Sequence, residues 1–76
     1  MSNTTKTILN GLGELDRATE KELKTLAKKH NVKMYPTYYD WSLEGKESDI
    51  ELITQAMWSM PKDQWEENGF WAEVIN

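Results

Sequence analysis

The stretch Tyr35-Pro36-Thr37-Tyr38-Tyr39-Asp40-Trp41 constrains the fold of this chain more than any other. Its bulky aromatic residues suit extended backbone on a half-buried surface. Pro36 has no amide hydrogen to give to a ladder, which confines the segment to an edge strand, a bulge or an irregular extended run. If the segment is extended, Tyr35, Tyr39 and Trp41 share one side and Tyr38 takes the other. One side then belongs to the core, and Tyr38 is the residue expected at the surface. The stretch also acts as a junction. Residues 1–38 carry seven Lys/Arg against four Asp/Glu, whereas residues 39–76 carry two Lys against nine Asp/Glu.

Length sharpens the constraint. Seventy-six residues make one compact domain, expected over residues 1–76 with residues 1–4 frayed. A chain this short buries only about 60% of the surface it exposes when unfolded. It has no cysteine, so neither a disulfide nor a zinc–thiolate site can supplement the core. The four tryptophans are the natural substitute. Each can bury on the order of 200 Å².

Helices are expected on both sides of the aromatic stretch. Ile8, Leu12 and Leu15 fall at i, i+4, i+7 and predict a first helix capped by Thr4 or Thr5, softened by Gly11 and Gly13. Thr19 and Glu22 have capping-box spacing, and Leu23, Leu26, Ala27 and His30 continue an apolar face, predicting a helix over 19–30. Asn31 suits the left-handed residue that ends it. Ser42 to Glu47 reads as a turn. Ser48 or Asp49 then caps a third helix along Ile50, Ile53, Met57 and Met60. Pro61 starts a short fourth helix to Glu67. The tail from Phe70 is strand-like, able to pair with residues 32–39 or to continue as a helix. The expected fold class is therefore α+β and mainly helical. It has three to four short helices and one short extended segment or a small two-stranded sheet. Its core gathers Leu23, Leu26, Ile50, Ile53, Met57 and the tryptophans.

Residues 22–32, Glu-Leu-Lys-Thr-Leu-Ala-Lys-Lys-His-Asn-Val, resemble the first helix of helix–extended–helix modules such as SAP-type domains. The resemblance covers eleven residues and stops at the aromatic stretch, beyond which the next helix is acidic where those modules place bases. It carries no function over.

The chemistry-bearing residues exclude more than they suggest. The single histidine, His30, falls on a helix face or end, and no serine lies in a nucleophile elbow, so no enzyme is expected. Gly11-Leu12-Gly13 follows a helical pattern rather than a strand, which argues against a phosphate loop. Counting from Asp40, Gly45 is sixth and Glu51 twelfth, as in a calcium loop, but Trp41, Ser42 and Glu44 break the ligand pattern. No metal and no cofactor are expected. No run approaches the ~20 apolar residues needed to span a bilayer, so no membrane partner is expected and the chain reads as cytoplasmic.

What remains is an interaction protein. Asp63, Glu66 and Glu67 fall at i, i+3, i+4, and Glu44 and Glu47 precede the third helix. With Trp65 and Tyr38 they form the expected partner-binding set, in which aromatics anchor and charges steer toward another protein with a basic surface. Short, acidic, cysteine-free chains of this kind suit a phage- or mobile-element-encoded inhibitor that mimics DNA and blocks a host nucleic-acid-handling factor. That expectation is an analogy of composition. The alternative is nucleic-acid binding through Lys21, Lys24, Lys28, Lys29 and Lys33 with the neighbouring tyrosines.

Overall fold

A computed structural model describes residues 5–38 and 40–75. Tyr39 and the expected frayed residues 1–4 lie outside them. The chain runs β1 (Lys6–Asn10), α1 (Arg17–Lys29), β2 (Lys33–Pro36), β3 (Trp41–Gly45), α2 (Glu47–Trp58) and β4 (Trp71–Ile75). Two 3₁₀ turns, Lys62–Gln64 and Glu66–Asn68, separate α2 from β4. The sheet order is β2-β3-β1-β4 with every neighbouring pair antiparallel. This is a split βαβ connectivity, in which β3 is inserted between two strands joined by a helix.

The expected mainly helical class with three to four helices is thus replaced by two α-helices on a four-stranded antiparallel sheet. The first predicted helix is β1. Thr7 and Leu9 alternate inward while Ile8 and Asn10 are only half-buried, the period of a strand. Gly11 and Gly13 sit at φ +94° and +76°, which no right-handed helix admits. Leu12 and Leu15, which suggested a helical face, pack from the loop instead. The tail is β4, and it pairs with β1 rather than with residues 32–39. The predicted fourth helix breaks into the two 3₁₀ turns, and Ser42 to Gly45 lies in β3 rather than in a turn. Of the eleven residues that resemble a helix–extended–helix module, 22–29 lie in α1, but the next element is a β-hairpin.

Other expectations stand. Pro36 closes β2, an edge strand, where its missing donor costs no ladder bond. Asn31 adopts φ 57° just beyond α1. That helix begins earlier than its predicted cap. Asp16, not Thr19, is the N-cap, and its carboxylate accepts from the Thr19 amide at 2.7 Å. The side-chain and backbone hydrogen bonds of Thr19 hold the Asp16 carboxyl below its ordinary value. A lowered folded-state value means stability that is present above the unfolded value and is lost as pH falls. Asp16→Ala should therefore destabilise the chain at about pH 7 and differ less from the parent at about pH 2.5, compared by urea unfolding at both.

The core lies between the helices and one sheet face. Leu9 and Leu43 from the central strands meet Leu23 of α1 and Ile50 and Ile53 of α2, all fully buried. Each such side chain contributes about 1.5–3 kcal/mol. Trp65 closes one end at 4% exposure, and its indole Nε1 donates to Thr54 Oγ1 at 2.9 Å. The Thr54 hydroxyl in turn donates to the Met60 carbonyl at 2.8 Å. The 3₁₀ segment is tied back to α2 by Lys62, whose Nζ lies 2.8 Å from Glu47 and whose amide donates to Glu51 at 2.9 Å.

Candidate interaction surfaces

The sheet face away from the helices is built by register. Tyr35 opposes Ser42, the Ser42 hydroxyl donates to Asn10 Oδ1 at 2.8 Å, and Asn10 opposes Trp71. These four residues form one row across the sheet, with an aromatic ring at each end. The next row is Lys33, Glu44, Ile8 and Glu73, and beyond it Lys6 opposes Ile75. Burial first, then the Glu44 and Glu73 carboxylates, raises the Tyr35 phenol above its ordinary value, with the Ser42 hydroxyl acting against them. The Lys33 ammonium sits 5.5 Å from the Tyr35 ring centre.

At the outer edge of this sheet, β4 is exposed along its whole length. Trp71, Val74 and Ile75 are 55%, 60% and 47% exposed. Ala72 and Val74 pair with Leu9 and Thr7, which places them on the helix side, yet neither helix reaches far enough to bury them. The strand contains no proline and no lysine, the residues that commonly blunt an edge.

The predicted acidic set divides. Asp63, Glu66 and Glu67 are exposed on the 3₁₀ turns that lead into β4, and they form no ion pair among the described residues. Glu47 is tied to Lys62, and Glu44 lies on the open sheet face 3.6 Å from Lys6. Trp65 belongs to the core, so its ring has no surface to offer a partner; its aromatic bulk fills the space left by scarce aliphatic residues. Tyr38 is 96% exposed in the β2–β3 turn. Trp71, which sequence reasoning left out of the set, is the tryptophan at the surface.

The predicted lysine set divides as well. Lys24 is paired with Glu20 at 2.8 Å and lies over the Trp41 ring at 5.8 Å. Lys21 and Lys29 are exposed on α1, whereas Lys28 and Lys33 line a cavity at one end of the sheet. Trp41 faces the helices, opposite in sense to Tyr35, because the two strands carrying them pair in a hairpin.

Asp40, the acid within the aromatic stretch, has a structural role. Its Oδ2 accepts from the Gly11 amide at 2.8 Å, and its Oδ1 accepts from the amides of Gly13 and Trp41. Gly11-Leu12-Gly13 therefore does follow a strand and precede a helix, contrary to the sequence reading. Its amides converge on an anion as in a phosphate loop, but the anion is the chain's own carboxylate. Asp40 is thereby committed to the backbone. Among the described residues, no three His, Asp or Glu side chains converge as metal ligands. No helix among them is long and apolar enough to cross a membrane. No family model, curated protein or solved structure matches the chain.

Proposed function

We propose that this chain is a non-enzymatic interaction protein that binds a protein partner by taking one of the partner's strands along β4. The observation that carries the reading is the edge itself: five exposed residues, three of them large and apolar, beside an unblocked backbone. Strand addition supplies main-chain hydrogen bonds for affinity and alternate side-chain contacts for specificity. Trp71 and Ile75 offer the apolar contacts on the open face, with Glu73 between them. Asp63, Glu66 and Glu67, just ahead in the chain, favour a partner whose strand is flanked by basic residues and speed its approach. A nucleic-acid-handling protein has such a surface, and occupying its basic groove would inhibit it.

The test compares capture of partners from a lysate by the parent chain and by an Ala72→Lys/Val74→Lys variant. Both positions are exposed, so the variant should keep the parent's melting temperature. A specific partner should be lost from the edge variant. It should bind the Asp63/Glu66/Glu67 charge-reversal variant more slowly, with a difference that shrinks between about 50 and about 500 mM salt. Equal affinity of that partner for the parent and the edge variant would sink the strand-addition reading.

A further inference from the structure

A cavity of about 560 Å³ opens at the end of the sheet where β1 and β2 start, β3 ends, α1 finishes and α2 begins. Four lysines line it, Lys6, Lys28, Lys33 and Lys46, against two carboxylates, Glu44 and Asp49. The chain as a whole is acidic, with nine Lys/Arg and a net charge of −4, so almost half of its cations meet at one cavity. Only Lys6 of the four is ion-paired among the described residues, at 3.6 Å from Glu44. None of the lining residues belongs to β4, so the cavity is a feature separate from the edge.

Lys46 breaks a local rule. It occupies the N-cap of α2, where Ser, Thr, Asp or Asn would satisfy the first amides, and it makes no side-chain cap hydrogen bond. A cation at the positive end of a helix is unfavourable. Ser48 and Asp49, the caps expected from sequence, fall inside the helix instead. Departures of this kind, where local preference loses without a structural gain, are expected at functional sites. Glu47 and Asp49 in the first turn already answer the helix terminus, so an anion in the cavity would act on the ammonium groups, Lys46 among them, which outnumber the two lining carboxylates.

We propose that this cavity is a binding site for a small molecule carrying two or more phosphate charges. Its volume lies within the ~300–1,000 Å³ typical of ligand sites. Lysine holds phosphate as a mobile point charge, so four ammonium groups at one mouth suit several phosphate oxygens. The lining includes no aromatic residue, which gives a nucleobase nothing to stack on and favours a pyrophosphate or a sugar phosphate.

Inorganic pyrophosphate is the probe. Added to the amide-labelled chain at low salt, it should produce saturable shifts at the amides of Lys28, Val32, Lys46 and Glu47. Lys46→Gln and Lys28→Gln should each weaken binding by about tenfold. Lys21→Gln, on α1 but outside the cavity, should leave binding unchanged. Circular dichroism checks that each variant is folded, as the exposure of all three lysines leads one to expect. Shifts no larger than those from chloride at equal ionic strength would overturn the proposal. So would equal weakening by Lys21→Gln, which would mark diffuse attraction to α1. A single-stranded oligonucleotide that displaces pyrophosphate and extends the shifts to Lys21 and Lys24 would overturn it in favour of a nucleic-acid backbone.

Discussion

Trp65→Ala is expected to lower the unfolding free energy by about 3–5 kcal/mol, the usual cost of emptying a large aromatic site. The ring is almost wholly buried and joins the 3₁₀ segment to α2 through Thr54. Small domains have total stabilities near the low end of about 5–15 kcal/mol, so the variant should be largely unfolded or close to it. The check is urea unfolding followed by circular dichroism. Two milder variants separate packing from hydrogen bonding. Trp65→Phe keeps much of the volume and removes the indole donor, and should cost less than Trp65→Ala. Thr54→Val keeps the shape but leaves Nε1 buried without its acceptor, and should cost about 1–3 kcal/mol. A surface tryptophan would behave otherwise, with Trp65→Ala staying within about 0.5 kcal/mol of the parent.

The second large effect is expected at Asp40. Its carboxylate accepts from three amides, two of them in the glycine loop that connects β1 to α1. Hydrogen bonds to charged groups contribute about 1.5–3 kcal/mol each. The site is only partly buried, so water can replace some of what is lost, and Asp40→Ala should cost about 2–4 kcal/mol. Asp40→Asn keeps one acceptor oxygen and should fall between parent and alanine. The loop also supports β4. A Cβ on Gly11 would collide with the Gly69 carbonyl oxygen and lie 3.1 Å from the Trp71 ring. Gly11→Ala should therefore loosen β4 as well as strain the loop, and hydrogen exchange should quicken at residues 71–75 more than at 33–35. Equal acceleration in both edge strands would mean that the loop does not hold β4 specifically.

These two residues show how unevenly the molecule is written into its sequence. The second predicted helix was legible because its signals are local: acids in the first turn, bases in the last, and Asn31 free to turn left-handed. Ile50 and Ile53 were legible for the same reason, since a 3.6-residue stripe needs no knowledge of its partner. The edge strand is one of the places that backbone chemistry leaves to Pro36, but Tyr38 is exposed because it lies in the β2–β3 turn, not because the stretch runs extended with Tyr35 and Trp41 on one side. Asp40 carried no such signal. It is 29 residues from Gly11, and nothing in either segment announces the other.

The candidate surfaces were less legible still. Asp63, Glu66 and Glu67 could be placed outside by charge alone. Trp65 and Trp71 could not be told apart, because both are bulky and apolar with an acid within two residues. The lysines of the cavity come from four separate segments, so a count along the chain found Lys28 and Lys33 and missed Lys6 and Lys46.

The sequence by itself determined the left-handed turn at Asn31, the limits Pro36 sets on its strand, and the apolar stripes of α1 and α2, whereas Gly11 and Gly13 and both helix caps were placed only by the tertiary structure. Only the tertiary structure decided that residues 6–10 form a strand. Their apolar spacing suits a helix until β3 and β4 stand on either side to satisfy their amides and carbonyls. The folding of the 3₁₀ segment back onto α2 decided which tryptophan became core. Burial depends on what lies across from a side chain, and in an antiparallel sheet that neighbour comes from far along the chain.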